Sequence, residues 1–179
     1  MTTAELDRWL PDPTVRVAHR CEARASADRL WSAAQSVRVR ETGVLGSLLR
    51  WRIPGLAADP TYDELFRSPP FTPLLEAEHA LLSGLCGRIW TLRRDYPRLA
   101  GPDEFLRWSA PGTVRVLYAN WVEPADAGRS VLVSETRVAP VGRQGQIGLL
   151  AVRPLIAASQ HLIGSEPLTI AVKRAEAGG

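Results

Sequence analysis

The stretches "TVRVLYANWVEP" (113–124) and "RSVLVSETRVAP" (129–140) constrain this chain more than any other feature. Each is rich in β-branched and aromatic residues, and only the turn-forming "ADAG" (125–128) separates them. Two such runs joined by a short Gly-containing loop predict an antiparallel β-hairpin. Glu135 and Arg137 lie two apart in the second run, so both side chains leave the strand on one face. Whether that face is wet or dry decides whether the pair is surface decoration or a fixed polar feature.

The rest of the chain supplies partners for this hairpin. "TVRVAHRCEARA" predicts a first strand with Val15, Val17, His19, Cys21 and Ala23 on one face. Arg16, Ala18, Arg20, Glu22 and Arg24 fall on the other. Ser26 offers an N-cap, and "ADRLWSAAQ" carries the apolar stripe Ala27, Leu30, Trp31 and Ala34 of a short helix. "VRVR" reads as a strand, "GVLGSLLRWR" as a helical turn or two, and "IPGLAADPTYDELFRSPPFTP" as a long loop with one helical turn. "LLEAEHALLS" predicts a strand that puts Leu75, Ala77, His79 and Leu81 on one side. A turn at Gly84 and a further strand, "LCGRIWTL", follow. "EFLRWSAPG" reads as another short strand before a turn at Pro111-Gly112. From Val152 onward, Val152, Leu155, Ile156, Leu162 and Ile163 recur at helical spacing, with Ser159 on the same stripe.

Runs of strands bracketed by helices define an α+β class. The simplest arrangement is a curved antiparallel sheet with one long C-terminal helix on its inner face. Residues 1–13 read as a polar lead-in whose prolines oppose a helix running through it, and 14–177 as a single domain.

Composition narrows the function. Apolar residues make up 45% and charged residues 23% of the 179 residues, as in ordinary globular proteins. Basic residues are scattered among acidic ones, which argues against a nucleic-acid surface despite the net charge of +3. No apolar run approaches the length of a membrane span, so no membrane insertion is expected. The start of the chain lacks the apolar core of a signal peptide, and Cys21 and Cys86 lack metal-ligand spacing. Two reduced thiols in a cytoplasm are the expectation, with neither metal nor cofactor. No Ser-His-Asp order, phosphate loop or zinc motif occurs.

Four stretches carry a family resemblance. "CEARASADRLWSAA" looks like the first strand, Ala-Ser turn and small helix of the SRPBCC superfamily, also called START-like or Bet v 1-like and including polyketide cyclase-like proteins. "LLSGLCGRIW" is similar to that family's Gly-x-x-Gly-x-x-Trp strand turn, here Gly84, Gly87 and Trp90. "ANWVEP…GRSVLVSETRV" resembles its last long hairpin, with Asn120, and "VKRAEA" resembles its tail. The resemblance implies a helix-grip fold: a curved antiparallel sheet wrapped around a long C-terminal helix, with two short helices after the first strand. It also implies a deep, largely apolar cavity between sheet and helix. Gly145, Gly148, Pro154, Gly164 and Pro167 depart from the family's uninterrupted last helix and are expected to weaken or break it.

The residues expected to line such a cavity are His19, Arg52, Trp90, Trp108, Tyr118, Asn120, Glu135, Arg137, Ser159 and Ile163. In one hairpin register Tyr118 falls near Glu135 and Asn120 near Val133, so that all four polar residues share a face. A one-residue slip puts Tyr118 and Asn120 on the opposite face from Glu135. Buried charges must be paired, and Arg50 or Arg52 is a candidate further partner. The alternative is an ion pair on a wet face, contributing ~0.2–1 kcal/mol. His19 is either a general acid/base in the cavity or a wall residue bonded to a neighbour, and His79 poses the same choice.

The leading expectation is therefore a binder of a hydrophobic small molecule, lipid- or polyketide-like. The rival is a cofactor-independent cyclase, aromatase or dehydratase using His19, Tyr118, Glu135 and Arg137. A third reading is a protein-interaction module, and homodimerisation stays open.

Overall fold

The structure is a computed structural model that describes residues 3–43, 59–91, 96–126 and 128–178, with the side chains of 153–164 outside this set. The described elements follow in order. They are α1 (Thr3–Trp9), β1 (Val15–Ala23), α2 (Ala27–Gln35), a 3₁₀ turn (Val39–Glu41), α3 (Tyr62–Arg67), β2 (Thr72–Ala77) and β3 (Ala80–Gly87). Then come α4 (Pro102–Arg107), β4 (Thr113–Pro124), β5 (Ser130–Val141) and α5 (Gly142–Ala177). The strands form one antiparallel sheet in the order β1-β5-β4-β3-β2. This is the α+β helix-grip arrangement that the sequence implies, with the β4–β5 hairpin at its centre.

Local chemistry explains the short helices. The Ser26 hydroxyl accepts from the Arg29 amide at the start of α2, as expected of an N-cap. Thr61 and Glu64 form a reciprocal capping box for α3: the Glu64 amide donates to Thr61 Oγ1 (3.1 Å) and the Thr61 amide to Glu64 Oε2 (2.7 Å). In α4, Pro102 begins the helix and Asp103 and Glu104 fill its first turn. The strand expected over "EFLRW" is thus a helix, because its start signals outweigh the aromatic residues.

Two further expectations are corrected. β2 and β3 meet at a tight turn at Glu78-His79, with Ala77 paired to Ala80, so "LLEAEHALLS" is not one strand. His79 sits in that turn, its Nε2 2.7 Å from Asp28 Oδ1. Gly84 is no turn; it lies within β3, where a Cβ would stand 2.6 Å from a Phe105 ring carbon and 2.8 Å from Leu74 Cδ1. The glycine is there for close approach of α4 to the sheet. Gly84→Ala is expected to destabilise the protein by about 1–3 kcal/mol through overpacking, which chemical denaturation would measure; an unchanged midpoint would show that α4 gives way freely.

The long helix is also unlike its expectation. α5 runs unbroken for 36 residues despite five Gly and Pro residues at positions where propensity opposes it. Packing on the sheet decides its course, since tertiary burial outweighs propensity in most protein helices. Gly148 serves that packing: a Cβ there would stand 2.2–2.6 Å from the Trp90 ring, so the indole lies directly on the helix backbone.

Helices pack on both faces of the sheet. On the inner face, α2, α3 and the C-terminal part of α5 pack over one end of the sheet, in a cluster containing Leu30, Trp31, Leu65, Phe66, Leu81, Val122, Leu132, Leu168 and Ala171. Leu149 of α5 packs with Val15, Val114 and Val138 at the other end. On the outer face, α1 and α4 cover Leu82, Cys86, Leu117, Ala119, Trp121 and Val133. The N-terminal stretch expected as a polar lead-in thus forms a helix that ends before Pro11. Leu6 and Leu10 are fully buried against the sheet. VRVR, expected as a strand, gives one bridge (Arg38 to Thr61) and the 3₁₀ turn. "GVLGSLLRWR", with Arg50 and Arg52, lies outside the described residues.

Candidate functional site

The hairpin register fixes which polar residues share a face. Ala119 pairs with Glu135, Tyr118 with Thr136 and Asn120 with Ser134. On the other side of β5, Val17 pairs with Thr136 and His19 with Ser134. Two rows therefore cross the inner face: Val17–Thr136–Tyr118 and His19–Ser134–Asn120. Glu135 and Arg137 belong to the outer face. This is the slipped register, one residue from the pairing that would have grouped all four polar side chains.

The inner rows lie between the two inner apolar clusters. The ends of the inner face are buried, Val15 and Val138 at one end, Ala23, Val122 and Leu132 at the other. Between them Val17, His19, Cys21, Val116, Asn120 and Thr136 all point to the helix side yet retain partial accessibility. The middle of the inner face is thus only partly covered, leaving a hollow over a floor of apolar and small polar side chains.

A hydrogen-bond relay crosses its floor. Asn120 Nδ2 donates to the Tyr118 hydroxyl (2.7 Å), which is also bonded to the Ser134 side chain. The Tyr118 ring stacks on Phe66 of α3, centroids 3.4 Å apart. Burial holds the Tyr118 phenol well above its ordinary range, so it stays neutral and acts as a hydrogen-bonding group, not as a phenolate base. Burial likewise raises the Cys21 thiol and keeps it protonated. Asn120 Oδ1 and His19 Nε2 are each buried without a hydrogen-bond partner. Orphaned buried polar atoms are uncommon, and each marks a point where a water or another polar group can bond.

The other residues expected at the site fall elsewhere. Trp90 lies on Gly148 beside the Val15–Leu149 cluster, at one end of the hollow. Trp108 belongs to the outer face, where its Nε1 donates to Thr113 Oγ1 (2.9 Å). Arg52 and the side chains of Ser159 and Ile163 lie outside the described residues. Glu135 and Arg137 are dry, at 3% and 1% exposure, but beneath α1 and not in the hollow. Arg137 Nε donates to Glu135 Oε1 (2.6 Å), and its Nη1 to Asp7 Oδ1 (2.5 Å) and the Leu10 carbonyl (3.2 Å). The half-exposed Arg16 completes the network through two bonds to Glu135 (2.9 and 3.1 Å). The pair is a structural clamp on the N-terminal helix.

Sequence reasoning overlooked Ser134 and Thr136, although they stand in the same "SETRV" as Glu135 and Arg137. The signal was present: two small hydroxyls on alternate positions, on the strand face between Leu132 and Val138. It also overlooked Glu166 of α5, whose Oε2 is buried and unpartnered and whose charge adds to burial and Tyr118 in raising the Tyr62 phenol. Away from the hollow, Asp28, Glu78 and His79 bring ligand atoms within 4.8 Å of one another at the protein surface.

Together these features define an α+β helix-grip fold whose inner sheet face is packed at its ends and partly accessible in between. No protein-family model and no curated protein matches the sequence. Among solved structures, the chain is similar to norcoclaurine synthase from Thalictrum flavum (16% identity, 89% of this chain and 84% of that one, TM-score 0.43). It is also similar to the hypothetical protein jhp0584 from Helicobacter pylori (10% identity, 95% and 94% covered, TM-score 0.43). A third similar structure is the Zhui aromatase/cyclase from a Streptomyces species (18% identity, 92% and 98% covered, TM-score 0.36). Among the described residues, no helix is long and apolar enough to cross a membrane.

Proposed function

We propose that this protein binds a hydrophobic small molecule in the hollow between the sheet and α5. The observation that carries the reading is the contrast along the inner face. Its ends are packed dry, while six inward positions on three neighbouring strands, grouped around the buried Tyr118 and Ser134, keep accessible surface. Apolar walls with a few convergent polar atoms are the usual make-up of a small-molecule site.

Thr136→Trp tests it by filling the hollow at its centre. A neutral apolar dye such as N-phenyl-1-naphthylamine is expected to bind the wild-type protein and to bind the variant roughly tenfold more weakly or worse. Cooperative unfolding should survive in the variant, because Thr136 is only partly packed. Equal dye binding by both proteins, or none by the wild type, would sink the proposal.

A cyclase or dehydratase reading is the second possibility, and one observation favours it: the free Nε2 of His19 faces the hollow side of the sheet. With Tyr118 and Cys21 held neutral and Glu135 and Arg137 on the other face, His19 is the acid/base group such chemistry would use from the described sheet.

A further inference from the structure

We infer that the hollow selects neutral apolar molecules whose polar end is a hydroxyl, and rejects acids such as fatty-acid anions. This deepens the binding proposal and rests on it. Asn120 fixes the preference. Its amide nitrogen is committed to the Tyr118 hydroxyl, so the atom left over is Oδ1, an acceptor with no partner and no access to solvent.

A buried acceptor is satisfied only by a donor. Carboxylates, sulfonates, esters and ketones present oxygen lone pairs alone and would face Oδ1 acceptor to acceptor. A hydroxyl brings the missing proton. The two rows of the inner face, Val17–Thr136–Tyr118 and His19–Ser134–Asn120, hold no lysine, arginine or carboxylate. Apart from His19, about 10 Å from Asn120 across β5, nothing in these rows compensates an anion, and nothing in them compensates an ammonium in place of the hydroxyl; burying an unpaired charge is costly. His19 Nε2 lies across β5 from Asn120, two strand spacings or about 10 Å away measured backbone to backbone. An imidazole nitrogen can donate or accept, so it tolerates either kind of second polar group at the far end of the ligand.

The test is a matched set of probes on the full chain: naphthalene, 2-naphthol and 2-naphthoate, measured by equilibrium dialysis. Wild-type protein is expected to hold 2-naphthol roughly tenfold more tightly than either of the others, the effect of satisfying one buried acceptor. Asn120→Leu, close in shape but without the acceptor, should abolish the preference for naphthol over naphthalene while naphthalene still binds. Tighter binding of naphthoate than of naphthol would overturn the inference, as would equal affinity for naphthol and naphthalene. An unchanged naphthol preference in Asn120→Leu would overturn it too. Those failures leave the hollow as a binding site. Failure of all three compounds to bind removes the site itself, and the hydroxyl preference with it.

Discussion

A chain that starts at Pro11 is expected to lose at least half of its folding free energy. The deletion removes α1, and with it Leu6 and Leu10, both at 0% exposure. Burying a leucine contributes about 1.5–3 kcal/mol, so the two together supply roughly 3–6 kcal/mol. The deletion also strips Arg137 of Asp7 and of the Leu10 carbonyl. Hydrogen bonds to a charged group contribute about 1.5–3 kcal/mol each. Against a typical domain stability of about 5–15 kcal/mol, the sum is enough to make the truncated chain marginal. Urea titration followed by tryptophan fluorescence would measure it. Leu6→Ala is the milder companion, expected to cost about 2–5 kcal/mol. A truncated chain with the wild-type midpoint would show that the outer face is stable uncovered and that α1 is an ornament.

Glu135→Leu is the second large effect, at about 3–5 kcal/mol, the usual loss when one member of a buried ion pair is removed. Arg137, 1% exposed, would keep Asp7 and the Leu10 carbonyl but lose the carboxylate at its Nε. Arg16 would swing to solvent at little cost, being half exposed already. The double variant Glu135→Leu, Arg137→Met should be more stable than the single one, because no charge is then left stranded under the helix. A double variant as unstable as Glu135→Leu alone would mean that shape, not charge, is what the pair supplies. Neither variant should alter dye binding in the hollow, since both residues sit behind the sheet.

What could be read from the sequence follows from where water is. β1 was legible in detail, because its outer face is wet: Arg16, Ala18, Arg20 and Glu22 are exposed and the alternation is plain. β3 was misread at Gly84 because all eight of its residues are buried, leaving no polar face to set the period. The same two-sided burial hid the register of the hairpin. With apolar and polar residues on both faces of β4 and β5, pattern alone could not say whether Glu135 or Thr136 stands opposite Tyr118. The loop decides that, and a slip of one residue exchanges the faces. α1 was missed because its apolar contribution comes from only a few residues before two prolines. α5 was recognised but expected to break, because propensity was weighed without the packing that overrides it. Of the candidate site residues on the sheet, Tyr118 and Asn120 are bonded to each other and His19 shares their face two strands away, while Ser134 and Thr136 are less conspicuous in the sequence than the charges beside them.

The helix-covered outer face has a consequence for how such a protein can change. β4 and β5 are anchored from behind by Trp121, Val133 and the Arg137 network, none of which borders the hollow. Substitutions at Val17, Thr136 or Asn120 therefore draw on a reserve of stability held elsewhere, so they can alter what fits without endangering the fold. The two sides of one sheet are thus free to change at different speeds: the rear slowly, under the demand to stay folded, and the front faster.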